Sequence, residues 1–147
     1  MSQLQIVSVI IILKCSNKYL LVQRAKDDDI FPGKWQNLGG KVKLGERIEE
    51  SIKREISEEI GLNVESHPKF IMSYSWKKDQ TSPVRLGLIF QLELAENFED
   101  YKIKLDQELD SYRWVSINEA IELDTIGKES PTGTMSQLLL ANVMEQL

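Results

Sequence analysis

The sequence predicts an α/β fold in which a mixed β-sheet lies between helices, and three observations carry that prediction. Runs rich in aliphatic and β-branched residues at positions 6–13, 70–76 and 84–94 read as strands. Ile48, Ile52, Ile56 and Ile60 recur at every fourth position, a helical period. The order strands, helix, strands, helix then sets helices against a shared sheet. With 147 residues the chain is sized for one well-packed core, so residues 1–147 are expected to form a single domain. No repeat, low-complexity tract or linker interrupts it.

Taken in order, residues 6–13 and 19–22 flank the polar turn Cys15-Ser16-Asn17-Lys18 and are expected to pair antiparallel, the first strand being buried on both faces. A polar loop, 26–34, carries Asp27, Asp28, Asp29, Pro32 and Gly33 and leads into Trp35 and the pair Gly39-Gly40. The helix from 46 to 60 contains neither Gly nor Pro, and Gly61 is placed to end it. Residues 70–76 and 84–94 form two long strands joined by the turn 78–83. Residues 97–106 are charged and without a clear period, which predicts an exposed loop, with 112–115 returning as a strand. Ser116 and Glu119 make a capping-box pair for a short helix. Met135, Leu138, Leu139 and Val143 fall on one face of a closing helix packed on the sheet.

Composition narrows the function classes. Eighteen basic against 23 acidic residues give a net charge of −5, which argues against nucleic-acid binding through a broad basic surface. Small phosphorylated molecules stay eligible, since local Lys, Arg and metal offset the overall sign. The single cysteine, Cys15, cannot form an intrachain disulfide and points to a reducing cytoplasm; it reads as a strand-end residue. The single histidine, His67, sits in a polar turn and is expected to be exposed. The apolar run 6–13 is too short to span a bilayer and lacks a signal peptide's features, so no membrane association is expected. A homodimer is compatible with such a chain.

The chemistry concentrates on the helix. At roughly 100° per residue, Glu55, Glu58 and Glu59 form a stripe beside the isoleucines, along the edge of the core. Three carboxylates this close need neutralising charge, for which Arg54, Lys53 and a bound cation are the candidates. Oxygen-only donors suit a hard ion such as Mg²⁺, with Mn²⁺ as a substitute. Gly39 and Gly40 let a diphosphate or an ion approach the main chain. Together these features point to hydrolysis of a phosphoanhydride, through charge neutralisation and an acidified water. Acidic helical stripes are more often solvated faces supported by ion pairs. Here the glycine pair ahead of the stripe favours the chemical reading. A Walker phosphate loop is excluded, because Gly45 is followed by Glu46 rather than Lys and Ser or Thr.

Residues 40–62 read as Gly40, five residues, Glu46, seven residues, Arg54-Glu55, Ile56, any residue, Glu58-Glu59, any residue, Gly61-Leu62. This resembles the Nudix box at every defining position, and looser similarity extends through 19–25, 33–42 and 108–115. The resemblance implies a Nudix-type α/β/α sandwich. It implies Glu55 and Glu59 as principal metal ligands, Glu58 as a further one and the Gly39 carbonyl as another, with Glu55 alternatively acting as base. Arg54 would anchor the carboxylates and Glu46 would support the loop-helix geometry. A loop acid would complete the site: Glu108 is the choice, with Asp106 and Asp110 close behind. Similarity of residues 33–42 to MutT-type pyrophosphohydrolases makes Arg24, Trp35, Gln36, Asn37, Gly40 and Lys41 candidate substrate contacts, with an amide reading a base edge and an arginine near phosphate. Trp35 either stacks on a base or plugs the core, and Arg24 either binds substrate or covers the sheet edge. The implied activity converts a nucleoside or deoxynucleoside triphosphate, oxidised forms included, to monophosphate and pyrophosphate. The alternatives are an ADP-ribose type nucleotide-sugar diphosphatase and a nucleotide-binding regulator without turnover.

Overall fold

The computed structural model describes residues 4–95 and 97–147. Strand β1 (Gln5–Cys15) is the organising element, because its aliphatic side chains alternate between two cores. Val9, Ile11 and Leu13 point to one side, and Ile10 and Ile12 point to the other. As expected, the strand's second half is buried on both faces.

Along one edge, β1 runs parallel to β6 (Val84–Glu93), from Gln5 opposite Val84 to Lys14 opposite Glu93. Its other edge is divided. Residues Ser8 to Ile11 pair with β4 (Leu38–Lys41), and Lys14 and Cys15 pair with β2 (Lys18–Arg24) across a tight turn in which Ser16 adopts φ 56°. Strand β2 continues outward to β3 (Trp35–Gln36) and β7 (Leu109–Val115), while β5 (Lys69–Trp76) pairs antiparallel with β6 at the far edge. Among the described residues this makes a mixed sheet of seven strands.

Helix α1 (Ile48–Ile60) covers one face. Its Ile52, Ile56 and Ile60 are fully buried against Val9, Ile11, Leu20, Val22 and Leu38, each such burial contributing about 1.5–3 kcal/mol. The helix ends where Gly61 turns into the left-handed region at φ 72°, and the Gly61 N–H donates to the Ser57 carbonyl. Helices α2 (Ile117–Ile121) and α3 (Thr134–Glu145) cover the opposite face, packing Ala120, Met135, Leu138 and Ala141 against Ile12, Tyr19, Leu21 and Ile89. The α2 cap is the expected box: the Glu119 N–H donates to Ser116 Oγ and the Ser116 N–H to Glu119 Oε1. Among the described residues no helix is long and apolar enough to cross a membrane.

Two expectations need correction. Residues 97–106 are not simply an exposed loop. A single 3-10 turn (Phe98–Asp100) opens the segment, and Phe98, Tyr101, Ile103 and Leu105 pack against the α1-side core. Tyr101, Ile103 and Leu105 alternate with exposed Lys102 and Lys104 along an extended path over the helix end, a strand-like period on a segment bonded to the end of α1. In α3, Leu139 and Val143 are exposed (45% and 52%), and Ala141 takes the inward position instead. A small side chain there lets the helix lie close on the sheet. Cys15 is buried at the strand end and His67 is exposed, as expected.

Candidate active site

The α1 stripe meets the sheet at β4. Gly39 and Gly40 stand beside Glu55 and Glu59, and the Gly39 N–H donates to Glu59 Oε1 at 3.0 Å. Gly40 has no room for a side chain, because a Cβ there would sit 2.3 Å from the Glu55 carboxylate. Together with Glu58 and Asp106, these residues line a polar cleft. Asp106 arrives because its N–H donates to the Glu59 carbonyl at 2.9 Å and the Lys104 N–H to the Ile60 carbonyl at 2.9 Å, stringing the loop along the end of α1.

Arg54 holds the acids in place. Its Nε and Nη2 grip Glu46 bidentately at 2.7 and 3.0 Å, Nη1 reaches Glu55 at 2.8 Å and Glu58 at 3.1 Å, and Nη2 also donates to the Lys41 carbonyl at 3.0 Å. Glu46 in turn accepts from the Lys43 N–H at 3.0 Å, fixing the turn before the helix. The Arg54 pair holds the Glu46 carboxyl down to about 2. Burial pushes Glu55 up, against the pull of Arg54. Burial likewise drives Glu59 up to about 8; the Gly39 N–H opposes this, while the Glu55 and Asp106 charges reinforce it. Glu59 thus sits in a field that calls for a cation, and all the nearby donors are oxygens.

The fit to a divalent ion is therefore chemical rather than prefabricated. Among the described residues no three His, Cys, Asp or Glu side chains converge tightly enough to cage an ion unaided. That suits an ion which keeps waters and takes substrate oxygens as ligands.

The same cleft is also lined by Arg24, Asp28, Gln36, Glu108 and Leu109. Arg24 is pinned on three sides: Nε donates to the Ile30 carbonyl at 2.7 Å, Nη1 to Gln36 Oε1 at 3.2 Å and Nη2 to Asp28 Oδ2 at 2.8 Å. The Glu108 carbonyl accepts from the Ala25 N–H at 3.2 Å, tying the late loop to the end of β2.

The structure thus brings together Glu46, Arg54, Glu55, Glu58, Glu59, Gly39, Gly40, Arg24, Gln36 and Glu108. It sets three candidates apart. The Trp35 side chain packs half-buried against the α3-side core, as the plug reading expects, and its backbone N–H donates to the Asp124 carbonyl at 2.9 Å. Asn37 points the same way, buried, with Nδ2 on Gln137 Oε1 at 2.8 Å. The Lys41 side chain is exposed and outside the cleft lining. Alternation along the strand is the cause, since Trp35 and Asn37 face one side and Gln36 the other. Among the loop acids, Asp106 and Glu108 line the cleft, whereas Asp110 Oδ2 accepts from the Lys26 N–H at 3.2 Å. Sequence reasoning missed Asp28, whose i,i+4 spacing from Arg24 was the available signal.

The NUDIX domain family matches residues 4–135. The chain belongs to the Nudix family. The nucleoside triphosphatase NudI of Escherichia coli O139:H28 (strain E24377A / ETEC) is 33% identical to this Nudix hydrolase over 114 residues, 72% of this chain and 78% of that protein. In fold it resembles the MutT protein from Methanosarcina mazei Go1, with a TM-score of 0.74 at 21% identity over 100% of this chain and 99% of that one. The NUDIX domain of Shewanella oneidensis NrtR, solved with ADP ribose, gives a TM-score of 0.71 at 14% identity over 99% and 90%. The Nudix hydrolase is a pyrophosphohydrolase by this membership, and enzymes of the family generally use divalent metals.

Proposed function

We propose that this Nudix hydrolase cleaves a nucleoside or deoxynucleoside triphosphate to monophosphate and pyrophosphate with Mg²⁺. One observation carries the reading: a single cleft is lined both by a set of acids with Gly39 and Gly40, fit for an ion and phosphates, and by the Gln36 amide, fit for a base. The 33% identity to a nucleoside triphosphatase supports it.

In this reading Glu55 and Glu59 hold the ion, with Glu58, the Gly39 carbonyl and a loop acid as further ligands. Asp106 joins Glu108 as a candidate loop acid, because its charge acts on Glu59 directly. A divalent ion held there would supply charge neutralisation for phosphate oxygens and a more acidic water. The protein's part is positional. Arg54 keeps Glu55 aimed into the cleft as ligand or base, the Gly39 N–H orients Glu59, and Glu46 fixes Arg54.

The test is product chromatography from a nucleotide panel with Mg²⁺. Pyrophosphate with a nucleoside monophosphate is expected. Orthophosphate with diphosphate, or turnover restricted to a nucleotide sugar such as ADP-ribose, would reject the assignment. Binding without turnover would reject it in favour of a regulator.

A further inference from the structure

We propose that Gln36 reads the substrate base as a hydrogen-bond donor, its polarity fixed by Arg24, so that the enzyme prefers bases bearing an exocyclic carbonyl over their amino counterparts. The inference rests on the reading of the cleft as a nucleotide site.

An amide side chain presents an acceptor on one edge and two donors on the other, and which one faces a ligand depends on what holds it. A guanidinium has donors only, so the Gln36 atom 3.2 Å from Arg24 Nη1 must be the carbonyl oxygen. Turning the amide over would set donor against donor. Arg24 cannot yield by rotating, because Nε is held by the Ile30 carbonyl and Nη2 by Asp28. Asp28 is itself fixed, its second oxygen accepting from the Ile30 N–H at 2.9 Å. Arg24 thus acts on Gln36 as a positioning residue, with three of its five N–H groups committed to that framework.

The consequence falls on Gln36 Nε2. Among the described residues neither of its N–H groups has a partner, and the side chain lines the cleft that Gly39 and Glu59 also line. Gln36 precedes Gly39 by three residues, about 10 Å along an extended chain, which leaves space for a sugar and the first phosphate between base and acids. A carbonyl meeting Nε2 is satisfied. An amino group there leaves donors opposed and desolvated, the arrangement through which polar sites discriminate.

The test measures kcat/KM for two matched pairs in which a carbonyl replaces an amino group: UTP against CTP, and ITP against ATP. A preference for the carbonyl member on the order of tenfold is expected in each pair. Gln36→Glu keeps the shape, still accepts from Arg24 and turns an acceptor to the base, so both ratios should fall to one or invert. Arg24→Leu frees the amide to turn, and both ratios should shrink towards one while circular dichroism stays native. Ratios near one in the wild type, or wild-type ratios kept by Gln36→Glu, would overturn the inference alone. Turnover of none of the four nucleotides would overturn the nucleotide reading beneath it.

Discussion

Replacing Gly40 by Ala should damage chemistry while sparing the fold. The added Cβ would lie 2.3 Å from Glu55 Cδ and Oε1 and 2.4 Å from Oε2. Carbon contacts are comfortable only from about 3.5 Å, so the carboxylate must retreat by roughly 1 Å. That shift carries Oε1 off the Arg54 Nη1 that it meets at 2.8 Å. Misplacement by about 1 Å can cost on the order of 10²-fold in rate. Stability should change little, within about 1 kcal/mol. The clashing atoms end a flexible side chain, Gly40 is not at positive φ, and Ala lowers the unfolded chain's entropy. Gly39→Ala is the contrast. There the Cβ would meet the Val9 carbonyl at 2.5 Å, and backbone paired in the sheet cannot step aside, so about 1–3 kcal/mol should be lost. Steady-state kinetics and thermal melts on both variants separate the two effects. A Gly40→Ala enzyme with wild-type kcat/KM would refute the idea that the Glu55 carboxylate works where the structure places it.

Three further outcomes follow from the same geometry. Glu55→Gln and Glu59→Gln should each lower kcat by roughly 10²–10⁴ with native circular dichroism, and wild-type rates in both would dismiss their roles. Because burial raises Glu59 from 4.5 to about 8, the metal-free folded chain keeps a proton that the unfolded chain has already released across that interval. Its stability should therefore fall as pH rises from about 4.5 to 8, and this slope should shrink in Glu59→Gln, the remainder coming from the raised Glu55; an unchanged slope in denaturant titrations over that range would refute it. Trp35→Ala should cost about 2–4 kcal/mol in urea melts by opening the α3-side core, leaving nucleotide preference as it was; a changed preference would restore the stacking role.

Much of this was legible where the signal is local. The isoleucine period, the terminating Gly61, the Ser116 and Glu119 cap and the partnership of Arg54 with the acids depend on neighbours within a few residues, and each stands as read. What stayed hidden depends on distant partners. The short strands β3 and β4 exist because β1 and β2 offer edges to them, which no window over 35–41 reveals. Trp35 and Asn37 looked equivalent to Gln36 until the pleat assigned them opposite sides. Phe98, Tyr101, Ile103 and Leu105 are partly buried by a path over α1, and the alternation of the last three is too short to stand out in a charged segment. Asp28 is the local exception: the run 27–29 reads only as part of a polar loop, yet Asp28 braces Arg24 four residues before it.

The bracing of Arg24 by the loop after β2 has an evolutionary corollary. The acids proposed to hold the ion ride on a helix rooted in the core, whereas the amide proposed to select the base takes its orientation from a surface hairpin held by Asp28 and the Ile30 carbonyl. Drift in that hairpin can retune which molecules are accepted without touching bond cleavage, and so one hydrolytic engine can be refitted to new cargo by changes in a few outlying positions.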